Sequence, residues 1–163
     1  MTTATNSMLS VAKPLCVLLI GGALLGAVGV VSGLAELKLL SDMGAGAFAS
    51  EAEMMAAANA NDMRQQFIGW SQLALVIVTI IVFAVWIYRA NVSVRAQGAE
   101  GLRYSPRGAV AWFFVPIAYL WKPYQAMSDQ WRASKDPARW GEVQRGSILP
   151  LWWTFWLISG FLG

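Results

Sequence analysis

Two long uncharged runs constrain this chain more than any other feature. Leu15 to Leu34 is a run of 20 residues and Phe67 to Tyr88 a run of 22, with no Asp, Glu, Lys or Arg in either. A helix of about 20 apolar residues spans the roughly 30 Å hydrocarbon core of a bilayer, so both runs read as membrane-crossing helices. The composition agrees: 57% of the 163 residues are hydrophobic and 13% charged, where a soluble domain carries about a quarter charged residues. There is no His, the commonest general base and metal ligand. The single Cys, Cys16, excludes an internal disulfide or a cysteine metal cluster. A catalytic centre, a metal site and a bound cofactor are accordingly not expected.

Two further apolar runs are shorter. Ile148 to Gly163 has 16 residues and reads as a third span, while Gly108 to Trp121 has 14 with Pro116 inside it. Fourteen helical residues cover about 21 Å, and an internal Pro removes a backbone hydrogen bond. The distribution of basic residues bears on this run. If all four runs cross, five Lys and Arg lie on one side and seven on the other; if the Pro116 run enters and returns, the division is ten against two. Basic residues accumulate on the cytoplasmic side, which favours the second arrangement. Residues 104–134 are therefore expected to form a re-entrant or interfacial helical hairpin bent near Pro116, the alternative being one tilted helix kinked at Pro116 and Pro123.

The expected organisation is a single all-α integral membrane domain. It comprises a helix at 15–34, an outer loop at 35–50, a long helix at 51–92, a basic inner loop at 89–107, the hairpin at 104–134, an inner loop at 135–147 and a helix at 148–163. The N-terminal run is too long for a signal-peptide core and is preceded by one cation, Lys13, so a retained helix is expected. Cys16 is expected as a small buried residue. Ser50-Glu51-Ala52-Glu53 fits a capping box that starts the long helix.

Within the first run Gly22, Gly26, Gly29 and Gly33 share one helical face, a small-residue seam against which another helix can pack. Gln72 and Thr79 share a face of the second run with Trp86, and such polar groups are expected to make interhelical hydrogen bonds. None of the acidic or basic residues falls inside the two long runs or the last one, whereas coupled carriers usually place an ionisable residue at membrane depth. Aromatic residues crowd the ends of the apolar segments, as in interfacial belts. The basic cytoplasmic segments suit anionic lipid headgroups, and nucleic acid is not expected as a partner.

The segments Tyr104-Ser105-Pro106, Trp112-Phe113-Phe114-Val115-Pro116-Ile117-Ala118, Leu120-Trp121-Lys122-Pro123-Tyr124-Gln125-Ala126-Met127 and Trp131-Arg132-Ala133-Ser134 closely resemble a bacterial family, domain of unknown function 4328. Trp152-Trp153 and Trp156-Leu157-Ile158-Ser159 resemble its next helix. The likeness is dense over residues 104–160 and departs at Tyr119 and at Arg107-Gly108. It implies a multi-pass protein of the bacterial inner (plasma) membrane; members of the family continue into one more C-terminal helix, so this chain reads as a truncated or naturally short version. It supplies no activity. The motif positions Pro116, Trp121, Lys122, Pro123, Tyr124, Gln125, Trp131 and Arg132 are the candidate functional residues. Tyr124, Met127 and Trp131 are expected on one helical face, with Lys122 and Arg132 reaching headgroups or partner acids.

With the N-terminus in the cytoplasm, the leading expectation is a non-enzymatic scaffold or accessory subunit that forms a homo-oligomer or joins another membrane protein. The second is a small channel or transporter that uses the re-entrant segment and the Gln72/Thr79 face. A membrane enzyme is the third.

Overall fold

The computed structural model describes the backbone of residues 2–162 and the side chains of residues 10–160. Every regular element among them is helical: α1 (Thr2–Gly44), α2 (Glu51–Ala96), α3 (Pro106–Ala111), a 3-10 turn at Ala118–Leu120, α4 (Lys122–Lys135) and α5 (Ile148–Leu162). Two of them, α1 and α2, are long and apolar enough to cross a membrane, and only 11% of the apolar stretch in each is buried. A core helix of a soluble domain is mostly covered. The 15 residues of α5 rise about 22 Å, short of the length of a perpendicular span.

Both long helices exceed their apolar runs. α1 continues past Leu34 to Gly44 because Ala35–Met43 is made largely of good helix formers, with Lys38 paired to Asp42 one turn on at 2.5 Å. The loop expected at 35–50 thus shrinks to the residues after Gly44, where Gly46 adopts φ +65°. α2 starts as the capping box requires: the Ser50 hydroxyl accepts from the Glu53 N–H at 3.2 Å. Glu53 reaches back one residue further than in the standard box, accepting from the Ala49 N–H at 3.0 Å. The far end of α2 runs beyond the expected position 92 to Ala96, so part of the supposed basic loop is helix. Gly98, at φ +98°, ends it.

The chain divides into two compact units: residues 13–82, and residues 83–163 with the first twelve. Within the first unit the helices are held at one level by polar side chains. Ser32 and Asn61 are buried. Arg64 donates to the Ser32 hydroxyl at 2.9 Å and to Asn61 Oδ1 at 2.5 Å, and Gln65 donates to Glu36 Oε2 at 2.6 Å. Asn61 donates to the other Glu36 oxygen at 3.4 Å. Cys16 is exposed, correcting its expected burial.

The second unit has two small apolar cores. One gathers Val94, Ala99, Leu102 and Ala133 under Trp140. The other gathers Ile87, Ala109 and Ala126 under Phe83, Trp86, Tyr104 and Phe113. Small residues from α3 and α4 let the helices approach while aromatic rings close the sides.

Candidate functional site

The motif-bearing residues lie in the second unit, and the end of α2 positions them. Arg95 donates to the Tyr104 carbonyl at 2.9 Å and the Leu102 carbonyl at 3.3 Å, while Nε holds Asn91 Oδ1 at 2.8 Å. This clamp fixes the entry to α3. There Ser105 caps the helix by accepting from the Gly108 N–H at 3.1 Å, and Pro106 occupies the first turn, where no N–H is needed.

Residues 106–135 form two helices separated by a tight reversal. The Ala118 N–H donates to the Pro116 carbonyl across a single residue at 2.7 Å, and Ile117 between them has φ 66° and ψ −52°. This is the γ-turn with positive φ, rare and strained even before a β-branched side chain is placed in it. Ile117 is also 70% exposed, so packing within the chain does not account for it.

Most motif side chains serve this corner. Lys122 lies 3.3 Å above the centre of the Trp112 ring, so its ammonium faces an aromatic surface of its own chain. Pro123 is fully buried in the first turn of α4. Gln125 accepts from the Tyr104 hydroxyl at 2.7 Å. Arg132 donates to the Val143 carbonyl at 2.7 Å and to the Gly141 carbonyl, holding the loop after α4. Lys122 and Arg132 thus have partners inside the unit, where headgroups or partner acids were expected. Trp153 donates to the Leu120 carbonyl at 3.0 Å and stacks on Trp156 with centroids 4.6 Å apart. Tyr124 leans on Trp153. The loop at 136–147 lies close enough to α4 that a Cβ at Gly146 would stand 2.8 Å from Trp131.

The expected face of Tyr124, Met127 and Trp131 is divided between two recesses. Met127 and Trp131 line a cavity of about 420 Å³ with Trp86, Val94, Gln130 and Leu149. Tyr124 lines a separate one of about 110 Å³ with Arg103, Trp121, Ser128, Asp129 and Arg145. Asp129 is the residue sequence reasoning passed over. It is 4% exposed, its Oδ2 has no hydrogen-bond partner among the described residues, and Arg103 Nε stands 3.6 Å away. Burial pushes this carboxyl above its ordinary value, while the guanidinium groups of Arg103, Arg132 and Arg145 and the Arg103 backbone pull it back. The signal available in the sequence was the position: Ala126, Asp129 and Ala133 recur at 3 and 4, so Asp129 stands between buried alanines. Among the described residues no group of three His, Cys, Asp or Glu is placed to hold a metal ion.

The candidates in the first unit have simpler surroundings. Of the glycine seam only Gly29 is closely approached, a Cβ there meeting Gln72 Nε2 at 2.8 Å; Gly22 has ordinary contact with Leu75, and Gly26 and Gly33 are open. Thr79 donates to the Leu75 carbonyl of its own helix at 2.7 Å, so it does not make the interhelical bond expected of it. The interhelical bonds belong to Ser32, Glu36, Asn61, Arg64 and Gln65.

The family model described as Domain of unknown function (DUF4328) matches residues 49–163. The chain belongs to this family. The DUF4328 match starts before the capping box of α2 and takes in the clamp, the γ-turn, the buried carboxylate and α5. α1 precedes it. No curated protein and no solved structure matches the chain.

Proposed function

We propose that this DUF4328 protein is a multi-pass protein of the bacterial inner membrane, with its N-terminus in the cytoplasm, and that it works as a non-enzymatic scaffold or accessory subunit. The observation that carries the reading is the bare aliphatic surface of the two long helices. Val17, Ile20, Leu24, Val31 and Leu34 on α1 are each more than half exposed, as are Phe67 and Ile81 on α2. Water penalises an apolar surface of this extent, and hydrocarbon removes the penalty. In this reading α5 is a third, short span whose 15 residues the bilayer meets by local thinning, and the γ-turn at Ile117 dips into the membrane from the cytoplasmic side and returns. That placement puts ten of the twelve basic residues in the cytoplasm.

A binding role is favoured over chemistry by the company the motif residues keep. Lys122, Gln125, Arg132 and Trp153 are engaged in holding the corner together. Gly26 and Gly33 offer an open, backbone-level surface on α1 of the kind on which a second copy or another membrane helix packs. The channel alternative draws less support, since the groove beside Gln72 and Thr79 is otherwise lined by aliphatic residues and Gly22.

Topology is tested with Lys135→Cys in a Cys16→Ser background and an impermeant maleimide. Labelling is expected only when the cytoplasmic face is accessible, and labelling from the periplasmic side would overturn the hairpin. Purification in mild detergent is expected to yield a defined oligomer or complex; a lone monomer would overturn the scaffold.

A further inference from the structure

The cavity between the end of α2 and α4 contains a polar group that the fold leaves half used. Gln130 is 6% exposed, and its Nε2 donates to the Ile87 carbonyl at 3.4 Å. A carbonyl only accepts, so the amide nitrogen faces Ile87 and Oε1 faces away. No hydrogen bond among the described residues reaches Oε1. An acceptor in that state inside a fold costs free energy unless something donates to it. Oε1 is not sealed in as Asp129 Oδ2 is, and the Gln130 side chain lines the cavity of about 420 Å³. That volume falls within the range of about 300–1,000 Å³ in which small molecules bind.

The wall grades from apolar to polar. Ala126 packs with Ile87, and Ala133 with Val94, so α4 runs beside α2 in the same direction. Trp86 and Met127 accordingly stand at one end, and Gln97 and Ser134, which also line the cavity, stand at the other, about 16 Å further along α2. The hydrogens of these two polar groups are turned to the chain itself. Gln97 Nε2 donates to the Ser93 carbonyl and hydroxyl at 3.2 and 3.1 Å, and the Ser134 hydroxyl donates to the Trp131 carbonyl at 2.7 Å. No Asp, Glu, Lys or Arg lines the cavity.

We propose that this cavity binds a single-chain, uncharged amphiphile that ends in a hydroxyl, with the hydroxyl donating to Gln130 Oε1 and the chain lying against Trp86, Met127 and Leu149. The free acceptor selects a donor. A carboxylate would meet it with further lone pairs, and an ammonium would find no counter-charge on the wall. The volume, near the lower end of the range for ligand pockets, suits one chain. Trp86 belongs to the uncharged run of α2, so the apolar end lies at the bilayer edge, from which such a molecule arrives. That route rests on the membrane reading above; the cavity itself does not. A long-chain alcohol and an alkylphenol share this chemistry.

The test is equilibrium binding of decanol, its methyl ether and hexylphenol to the full chain in phosphatidylcholine nanodiscs, with uptake by empty nanodiscs subtracted. The ether keeps the chain and lacks the donor, so decanol is expected to bind saturably and about tenfold tighter, the effect of one hydrogen bond to a buried acceptor. Gln130→Leu is expected to remove that preference. Leu149→Trp, which fills the cavity from its wall, is expected to weaken decanol and hexylphenol alike. Decanol binding as tightly as the phenol or tighter supports the site with an aliphatic source, and tighter binding of the phenol supports it with an aromatic one. Equal affinity of the unmodified chain for decanol and the ether, or no saturable binding of either hydroxyl compound, would overturn the proposal. So would a preference that survives in a Gln130→Leu protein with the circular dichroism of the unmodified chain. Should Gln130→Leu fail to fold, the comparison of decanol with the ether on the unmodified chain decides. A periplasmic label at Lys135→Cys would overturn the hairpin and leave these affinities standing.

Discussion

The indole N–H of Trp153 donates to the Leu120 carbonyl at 3.0 Å, joining α5 to the last residue of the 3-10 turn. Trp153 is buried and touches the rings of Phe113, Tyr124, Trp152 and Trp156, so one side chain supplies both the bond and the packing. Trp153→Phe keeps most of the ring contact and is expected to cost about 1 kcal/mol. Trp153→Ala removes both and is expected to cost about 3 to 5 kcal/mol. Thermal unfolding followed by near-ultraviolet circular dichroism separates the two, and equal losses would contradict this division.

The glycine seam divides into one close contact at Gly29, one ordinary contact at Gly22 and two open positions. Gly29→Ala pushes the Gln72 amide aside, a movement a flexible side chain accommodates, and the better helix propensity of Ala offsets part of it, leaving a change below about 1 kcal/mol. A Cβ at Gly26 or Gly33 meets nothing within 4 Å in this chain, so Gly26→Leu and Gly33→Leu are expected to change its melting temperature little. The same two variants are expected to dissociate the oligomer or complex, read by size-exclusion chromatography with light scattering. An intact assembly would move the interface elsewhere.

The raised pKa of Asp129 fixes the sign of a pH effect. The folded carboxyl holds its proton more tightly than the unfolded one. Its ionisation therefore costs stability as pH rises from the ordinary value of 3.8 through the higher folded value, and the cost is absent below that range. Asp129→Asn cannot ionise. The unmodified chain is expected to gain stability relative to Asp129→Asn on going from about pH 7 to about pH 4, measured as the difference in their unfolding midpoints. A constant difference would show that burial does not dominate at this carboxylate.

Ile117 carries a backbone conformation suited to glycine, and its side chain is largely outside the fold. Ile117→Gly is expected to stabilise the isolated chain in detergent by about 1 kcal/mol. A loss of stability in detergent would show that Ile117 packs within the chain.

What the sequence discloses here is what nearby residues determine. The two uncharged runs, the cap at Ser50 and the reversal near Pro116 each depend on residues within a turn or two, and each has its counterpart in the structure. Helix ends were less legible, because hydropathy marks where a helix is apolar and says nothing of where it stops; Ala35–Met43 is helical and polar enough to read as loop. The interhelical network pairs Ser32 and Glu36 with Asn61, Arg64 and Gln65, some 25 to 33 residues away, and no local pattern announces it. Lys122 and Arg132 looked like free cations for the same reason: their partners, Trp112 and the carbonyls at 141 and 143, are brought near by the turn and the loop.

The close approach of Gly146 to Trp131 carries a consequence for the history of the family. A side chain at 146 would have to occupy the space of the indole, so the two positions are not free to drift independently. A lineage that keeps Trp at 131 is held to Gly at 146, and the glycine is released once the indole gives way to something smaller. Such a trade would appear among relatives as covariation between 131 and 146, a record of the packed loop written in substitutions.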